Sequence, residues 1–145
     1  MIHIPHVAGG AVLLGALYNQ VSGALVYGPL FGQVWLDAMN KDKGGEGWIG
    51  DTPLKDEMPV MLLKEFVLNL GKSWFTGLLL NLTQARTISQ AAQLGAFLYF
   101  GTLVPAVISE SLWEKRPNDL QKFKLLSGFS STIVLACVMH WWGTA

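Results

Sequence analysis

Four long apolar segments, separated by polar connections, dominate the chain. They run over residues 7–27, 59–82, 88–112 and 125–142. Each is close to the roughly 20 residues with which an α-helix crosses the hydrocarbon core of a bilayer. The pattern predicts an all-α fold, a single integral-membrane domain over residues 1–145 built as a four-helix bundle. A soluble bundle is the alternative, but segments with so few charges would leave it little polar surface.

The composition supports the membrane interpretation and excludes several other classes of protein. Hydrophobic residues make up 51% of the chain and charged residues 14%, and the mean hydropathy is +0.37. Ten basic residues balance ten acidic ones, so no basic surface is available for nucleic acid. The high apolar content excludes disorder. Cys137 is the one cysteine in the sequence, which excludes a disulfide scaffold. It is interpreted as a small apolar filler.

The basic residues of the connections predict an orientation. Only Arg86 lies on the side of the two termini, whereas seven basic residues flank the other face: Lys41, Lys43, Lys55, Lys115, Arg116, Lys122 and Lys124. Because Lys and Arg are enriched in loops on the cytoplasmic side, the Lys-rich face is predicted to lie in the cytoplasm, matrix or stroma. Both termini are then predicted on the opposite side of the membrane.

The first apolar segment is interrupted at Gly28-Pro29, where the helix is predicted to kink or break. Proline lacks a backbone donor, and the residue before it is driven out of helical geometry. A short second helix carrying Val34 and Trp35 is expected to follow along the interface.

Small side chains recur every four residues in the first segment, at Ala11, Gly15, Asn19 and Gly23. This spacing places them on one helix face, where a neighbouring helix can approach closely. The pattern predicts a helix-packing face; a ligand groove is the alternative.

Two stretches resemble a known family. Residues 23–35 read GALVYGPLFGQVW, and residues 112–117 read LWEKRP ahead of the last apolar segment. They resemble the G-A-L-W-Y-G-P-L-F-G-K-x-W and F-E-x-R-P patterns of domain-of-unknown-function family 1761, small membrane proteins with about four predicted spans. Val26 and Gln33 depart from the family's common Trp and Lys. The resemblance implies a four-span fold and no known activity. Its motif residues here are Tyr27, Gly28, Pro29, Phe31, Gly32, Trp35, Arg116 and Pro117.

One polar stripe runs along the second apolar segment. Glu65, Asn69 and Lys72 fall at spacings of four and three residues, on one side of a helix. Charges within a membrane span are costly and mark either a functional path or a specific pairing. The stripe is predicted to face the bundle interior or a partner subunit. The alternatives are a solute path and a structural role in which Lys72 extends toward the interface or a neighbouring chain.

The remaining polar residues favour structural roles. Glu110 is expected to pair with Lys64 or Arg116, since no nucleophile accompanies the carboxylates. His3, His6 and His140 all fall on the side of the termini, where a metal or haem site is the less favoured alternative to contacts with lipid headgroups. No catalytic site, metal site or cofactor is predicted, whereas bound lipid is expected.

Two functions from different classes remain open. The sequence favours a small non-enzymatic accessory or structural protein, packed against another membrane subunit or a second copy of itself. A respiratory or photosynthetic assembly is one possible setting. The alternative is a small transporter or channel-like protein with a polar path along the second segment. An intramembrane enzyme is the least favoured interpretation.

Overall fold

All regular secondary structure in the described part of the chain is helical. The computed structural model describes residues 2–26, 32–43 and 58–144, and these contain no strand. The five helices are α1 (Gly9–Leu25), α2 (Gly32–Lys43), α3 (Met58–Leu82), α4 (Ile88–Glu114) and α5 (Asn118–Trp142). The predicted break at Gly28-Pro29 lies outside the described residues.

The last helix begins earlier than the apolar pattern indicates. The sequence predicts a polar connection before residue 125, whereas α5 already starts at Asn118. Pro117 occupies the N-cap position in an extended conformation, and Asp119 lies in the first turn, where a carboxylate complements the helix dipole. The connection therefore shrinks to residues 115–117, and Lys115 turns the chain in the left-handed conformation at φ 51°. Polar residues 118–124 extend the helix rather than forming a loop.

Two helices, α4 and α5, are long and apolar enough to cross a membrane, judged by length and composition. Six large apolar side chains of α4 are exposed, among them Phe97 at 73% and Leu112 at 70%. Soluble monomers rarely present contiguous apolar surface of this kind. Of the four spans predicted from the sequence, the described helices thus support two. The other two candidates are α1, with 17 residues, and α3, which carries Lys64, Glu65 and Lys72.

The helix α5 lies at the centre of the arrangement. It contacts α1, α3 and α4, while α1 packs along α3. The short α2 lies against the first half of α5, where Lys41 forms an exposed salt bridge of 3.0 Å with Asp119. The buried apolar core is made mostly of small and aliphatic side chains, namely Ala11, Leu80, Ala91, Leu135, Ala136 and Met139.

The two termini meet at one end of the bundle. The Asn81 side-chain amide donates to the carbonyl of His6 at 2.8 Å and to the carbonyl of Thr144 at 2.9 Å. Its oxygen accepts a hydrogen bond of 2.6 Å from the Thr144 hydroxyl. The Ala8 amide donates to the same Thr144 carbonyl. The end of α3 therefore holds both termini together, while α2 and the 115–117 connection lie at the opposite end.

The helices α4 and α5 each contain one π-helical turn. The turn in α4 covers Tyr99–Leu103 and precedes Pro105. Proline removes a helical donor and crowds the preceding turn, so a widened turn there relieves both problems. The turn in α5 covers Ser130–Val134. The hydroxyls of Ser131 and Thr132 bond to the carbonyl of Gly128, at the start of this wide turn.

The helices α4 and α5 approach each other closely at Gly95. A Cβ atom at this position would lie 2.6 Å from the Cα of Ile133 and 3.0 Å from the carbonyl oxygen of Thr132. Both atoms belong to the backbone of the π-helical turn in α5, so they cannot move aside as a flexible side chain would. Gly95 thus sets the distance between the two helices.

We expect Gly95→Ala to destabilise the fold, because the new methyl group must push two backbones apart. Overpacking of this kind costs about 1–3 kcal/mol, which would lower the melting temperature in detergent. The matched control is Gly101→Ala on the same helix, where a Cβ would meet no atom within 4 Å. The control should leave the melting temperature unchanged or raise it. Equal shifts for the two variants would contradict this packing.

Candidate functional site

The polar stripe of α3 meets polar groups on two other helices. Asn69 is 8% exposed, and its amide donates to Oε1 of Gln20 on α1 at 3.0 Å. The ammonium group of Lys72 donates to the Ser131 hydroxyl on α5 at 2.9 Å. Asn69 and Lys72 therefore face the bundle interior. Glu65, nearly two turns before Lys72, is exposed.

The stripe lines a partly open cavity between α1, α3 and α5. The cavity has a volume of about 220 Å³. We call it the polar cavity, since most of its lining side chains carry polar groups: Asn19, Ser22, Glu65, Asn69, Lys72, Ser127 and Ser131. Among the described residues, one carboxylate, one ammonium group, two amides and three hydroxyls thus line the same space.

The Asn19 amide is the least satisfied group in the lining. Asn19 is 8% exposed, and neither its Nδ2 nor its Oδ1 has a hydrogen-bond partner among the described residues. A buried polar group without a partner costs about 1–3 kcal/mol. Asn19 belongs to the small-residue stripe predicted from the sequence, and its amide atoms are buried behind the cavity wall.

The predicted packing face of α1 divides into a packed half and an open half. Ala11 is fully buried, and a Cβ on buried Gly15 would lie 2.7 Å from the Ser73 hydroxyl oxygen. Gly23 is only half-buried, a Cβ there would meet no atom of the described residues within 4 Å, and the residue lines the cavity. The expectation that Gly23 packs closely is therefore wrong. The spacing of four residues keeps it on the same face, but the helices have diverged at its level.

A cluster of hydroxyl groups next to the cavity was not predicted from the sequence. The Tyr18 hydroxyl and the Ser130 hydroxyl lie 2.7 Å apart, and Ser22 lies 2.9 Å from the same Ser130 oxygen. Ser130 therefore bonds to α1, while its neighbour Ser131 bonds to Lys72 on α3. The signal that would have indicated this cluster is the run Ser-Ser-Thr at 130–132 inside an apolar segment.

The ion pairs at the Lys-rich end differ from those expected. Glu110 accepts a hydrogen bond from Lys124, rather than from Lys64 or Arg116. Arg116 instead pairs with Glu114 at 2.6 Å, and this hydrogen bond raises the pKa of the Arg116 guanidinium above its ordinary value. Lys64 is exposed. Because α5 starts at residue 118, it carries Lys124 alongside α4, which the predicted loop did not.

The described residues hold no group of three or more His, Cys, Asp or Glu arranged to bind a metal. His3 and His6 lie in the exposed N-terminal segment, and His140 is partly buried near the end of α5. Cys137 is also partly buried on α5. The chemistry available in the polar cavity is hydrogen bonding and charge pairing, from Glu65, Lys72 and the amides.

The family motif residues that the structure describes lie outside the cavity. Gly32 is the first residue of α2 and Trp35 lies in its first turn, while Arg116 and Pro117 form the connection between α4 and α5. Tyr27, Gly28, Pro29 and Phe31 fall outside the described residues.

The fold and the cavity define an all-helical protein with membrane-compatible helices and a polar internal space. The chain belongs to the DUF1761 family of proteins of unknown function, whose profile matches residues 10–140. The resemblance inferred from the two motifs is thereby confirmed. A UPF0591 membrane protein of Schizosaccharomyces pombe (strain 972) is 26% identical over 141 residues, covering 97% of this chain and 94% of that protein. No solved structure matches the chain.

We expect two asparagines of this site to respond oppositely to replacement by leucine. Asn69→Leu breaks the hydrogen bond to Gln20 and should cost about 0.6 kcal/mol or more, the usual scale for such bonds in membrane proteins. Asn19→Leu breaks no hydrogen bond within the described protein and removes an unsatisfied amide, so stability should be retained or should rise. Melting temperatures in detergent check both. Equal destabilisation by the two changes would show that Asn19 is bonded within the fold.

Proposed function

We propose that this chain is a four-span integral-membrane protein of transporter or channel-like kind, which binds a small polar solute or ion in the polar cavity. The observation that carries this proposal is the polar cavity itself, which is lined by Glu65 and Lys72 of α3 and by Ser131 of α5. Binding sites combine a few such polar groups with a mostly preformed space. The polar groups come from three helices, as a path through a bundle requires.

The proposal treats α1 and α3 as the two further spans. The 25 residues of α3 measure about 37 Å at 1.5 Å per residue, which exceeds the hydrocarbon thickness of about 30 Å. Its interior polar groups bond to α1 and α5 instead of meeting lipid. The 17 residues of α1 contain no charge and measure about 25 Å. Lipid is expected to cover the outer faces.

The proposed orientation places the Lys-rich end in the cytoplasm, matrix or stroma. Lys41, Lys115, Lys122 and Lys124 lie near this end, and the joined termini lie at the other. Glu65 is close to the start of α3 and therefore to the Lys-rich face. The cavity is then entered from that side, and Asn19 and Lys72 lie deeper within the bundle.

A second candidate function is an accessory subunit that packs against a partner or another copy. The observation that favours it is one exposed apolar face on α4, formed by Phe97, Phe100, Ile108 and Leu112. Such a face can be covered by lipid or by a neighbouring helix. Co-purification of a stoichiometric partner in mild detergent, without solute flux, would favour this function over transport.

We expect purified protein in liposomes to move at least one of three radiolabelled probes: sodium, phosphate or glycine. Glu65→Ala and Lys72→Met should each abolish that flux, because they remove the two charges of the cavity, while leaving most of the protein folded. Lys64→Met is the matched control, since Lys64 is exposed on the same helix and should retain flux. Absence of flux for all three probes in the wild-type protein would refute transport.

A further inference from the structure

Among the described residues, the polar cavity is lined by one charge of each sign, at two different depths. Glu65 and Lys72 both line it, and they are seven residues apart on α3. At 1.5 Å per residue their backbone positions are separated by about 10 Å along the helix axis. The Lys72 ammonium group uses one donor on Ser131, which leaves two for another acceptor. The two charges are therefore arranged in sequence along the cavity rather than neutralised in one contact.

The opposite charges disfavour a simple ion as the occupant. A cation attracted by Glu65 is repelled by Lys72, and an anion attracted by Lys72 is repelled by Glu65. The lining adds neutral donors and acceptors from Ser22, Asn69 and Ser131. A molecule that carries a cationic group and an anionic group in one short skeleton satisfies both charges.

The cavity has room for such a molecule. Its volume of about 220 Å³ corresponds to roughly seven water molecules at ~30 Å³ each. This is enough for a skeleton of a few carbon atoms with two charged ends and some remaining water.

We propose that the polar cavity is a binding site for a zwitterionic group, with the ligand's ammonium at Glu65 and its anionic oxygens at Lys72. This inference rests on the part of the proposed function by which the cavity binds a polar solute. It adds the chemical class of the ligand and the direction in which the ligand lies. The cationic end points toward the start of α3, and the anionic end points into the bundle.

An apolar groove adjoins the cavity, so the zwitterion has two possible sources. The groove has a volume of about 500 Å³ and is lined by Leu14, Leu17, Val21 and Leu25 of α1 together with Val138 of α5. Ser22 and Val26 line both the groove and the polar cavity. A free zwitterion fills the cavity alone, whereas a zwitterionic lipid places its headgroup in the cavity and an acyl chain along the groove.

The inference is tested by calorimetric titration of the purified full-length protein in nanodiscs of phosphatidylglycerol, a lipid with no zwitterionic headgroup. The three probes are phosphoethanolamine, ethanolamine and inorganic phosphate. Phosphoethanolamine should bind at least about tenfold more tightly than ethanolamine or inorganic phosphate, since it makes both charge contacts. Ethanolamine or phosphate binding as tightly as phosphoethanolamine would overturn the zwitterion assignment.

Two variants assign the ends of the ligand. Glu65→Gln should weaken phosphoethanolamine and ethanolamine but not phosphate, and Lys72→Met should weaken phosphoethanolamine and phosphate but not ethanolamine. Lys64→Met should change none of the three affinities. Melting temperatures in the same nanodiscs identify any variant that loses its fold. The reverse pattern for Glu65→Gln and Lys72→Met would overturn the proposed direction.

A second arm separates the two sources. The titration is repeated in nanodiscs that contain phosphatidylethanolamine. If the natural ligand is a lipid headgroup, this lipid should abolish phosphoethanolamine binding, and Val26→Trp at the boundary with the groove should restore it. If the ligand is a free zwitterion, binding should be the same in both lipids.

The outcome is distinguishable from failure of the proposed transport. Sodium flux without a preference for the zwitterion would leave transport in place and overturn this inference. Tight phosphoethanolamine binding without flux of any probe would support this inference and refute transport.

Discussion

The arrangement of the bundle depends on the polar side chains that α3 carries along an otherwise apolar helix. A buried polar group without a partner costs about 1–3 kcal/mol, so other helices must supply partners at the matching heights. Gln20 on α1 does so for Asn69, and Ser131 on α5 does so for Lys72. These two contacts require α1 and α5 to lie on the same side of α3. The polar cavity is the space left where these three helices separate.

Close packing of the helices outside the cavity makes this arrangement possible. Gly15 brings α1 against Ser73 and Met139, and Gly95 brings α4 against the backbone of α5. The π-helical turn at Ser130–Val134 then directs neighbouring hydroxyls to different helices, Ser130 toward Tyr18 and Ser131 toward Lys72. Wide turns of this kind are common at functional sites. Here the turn provides polar contacts in two directions from an apolar helix.

The apolar pattern was sufficient to predict the helices, but less so their ends and neighbours. The length of an apolar segment predicts where a helix must be buried or in lipid. This length located α1, α3, α4 and the second half of α5. It missed residues 118–124 of α5, because a polar helix turn and a polar loop have the same composition. That error also hid Lys124, the partner of Glu110.

Only part of the candidate site was predicted from the sequence, because the pattern used was again a local one. Helical spacing placed Glu65, Asn69 and Lys72 on one face, since that spacing is a property of the helix alone. The residues that meet this face depend on how the helices cross, which no local pattern records. Gly23 shows the same limit: it shares the spacing of Gly15, yet it lines a cavity because α1 and its neighbours diverge there.

The central claim is that the α3 stripe is satisfied by α5, and a double-mutant cycle between Lys72 and Ser131 tests it most directly. The unfolding free energies of Lys72→Met, Ser131→Ala and the double variant are measured in mixed micelles and compared with the wild-type protein. Direct contact predicts a coupling energy of about 0.6 kcal/mol or more, the scale of interhelical hydrogen bonds in membrane proteins. Additive effects of the two substitutions, with no coupling energy, would contradict the account.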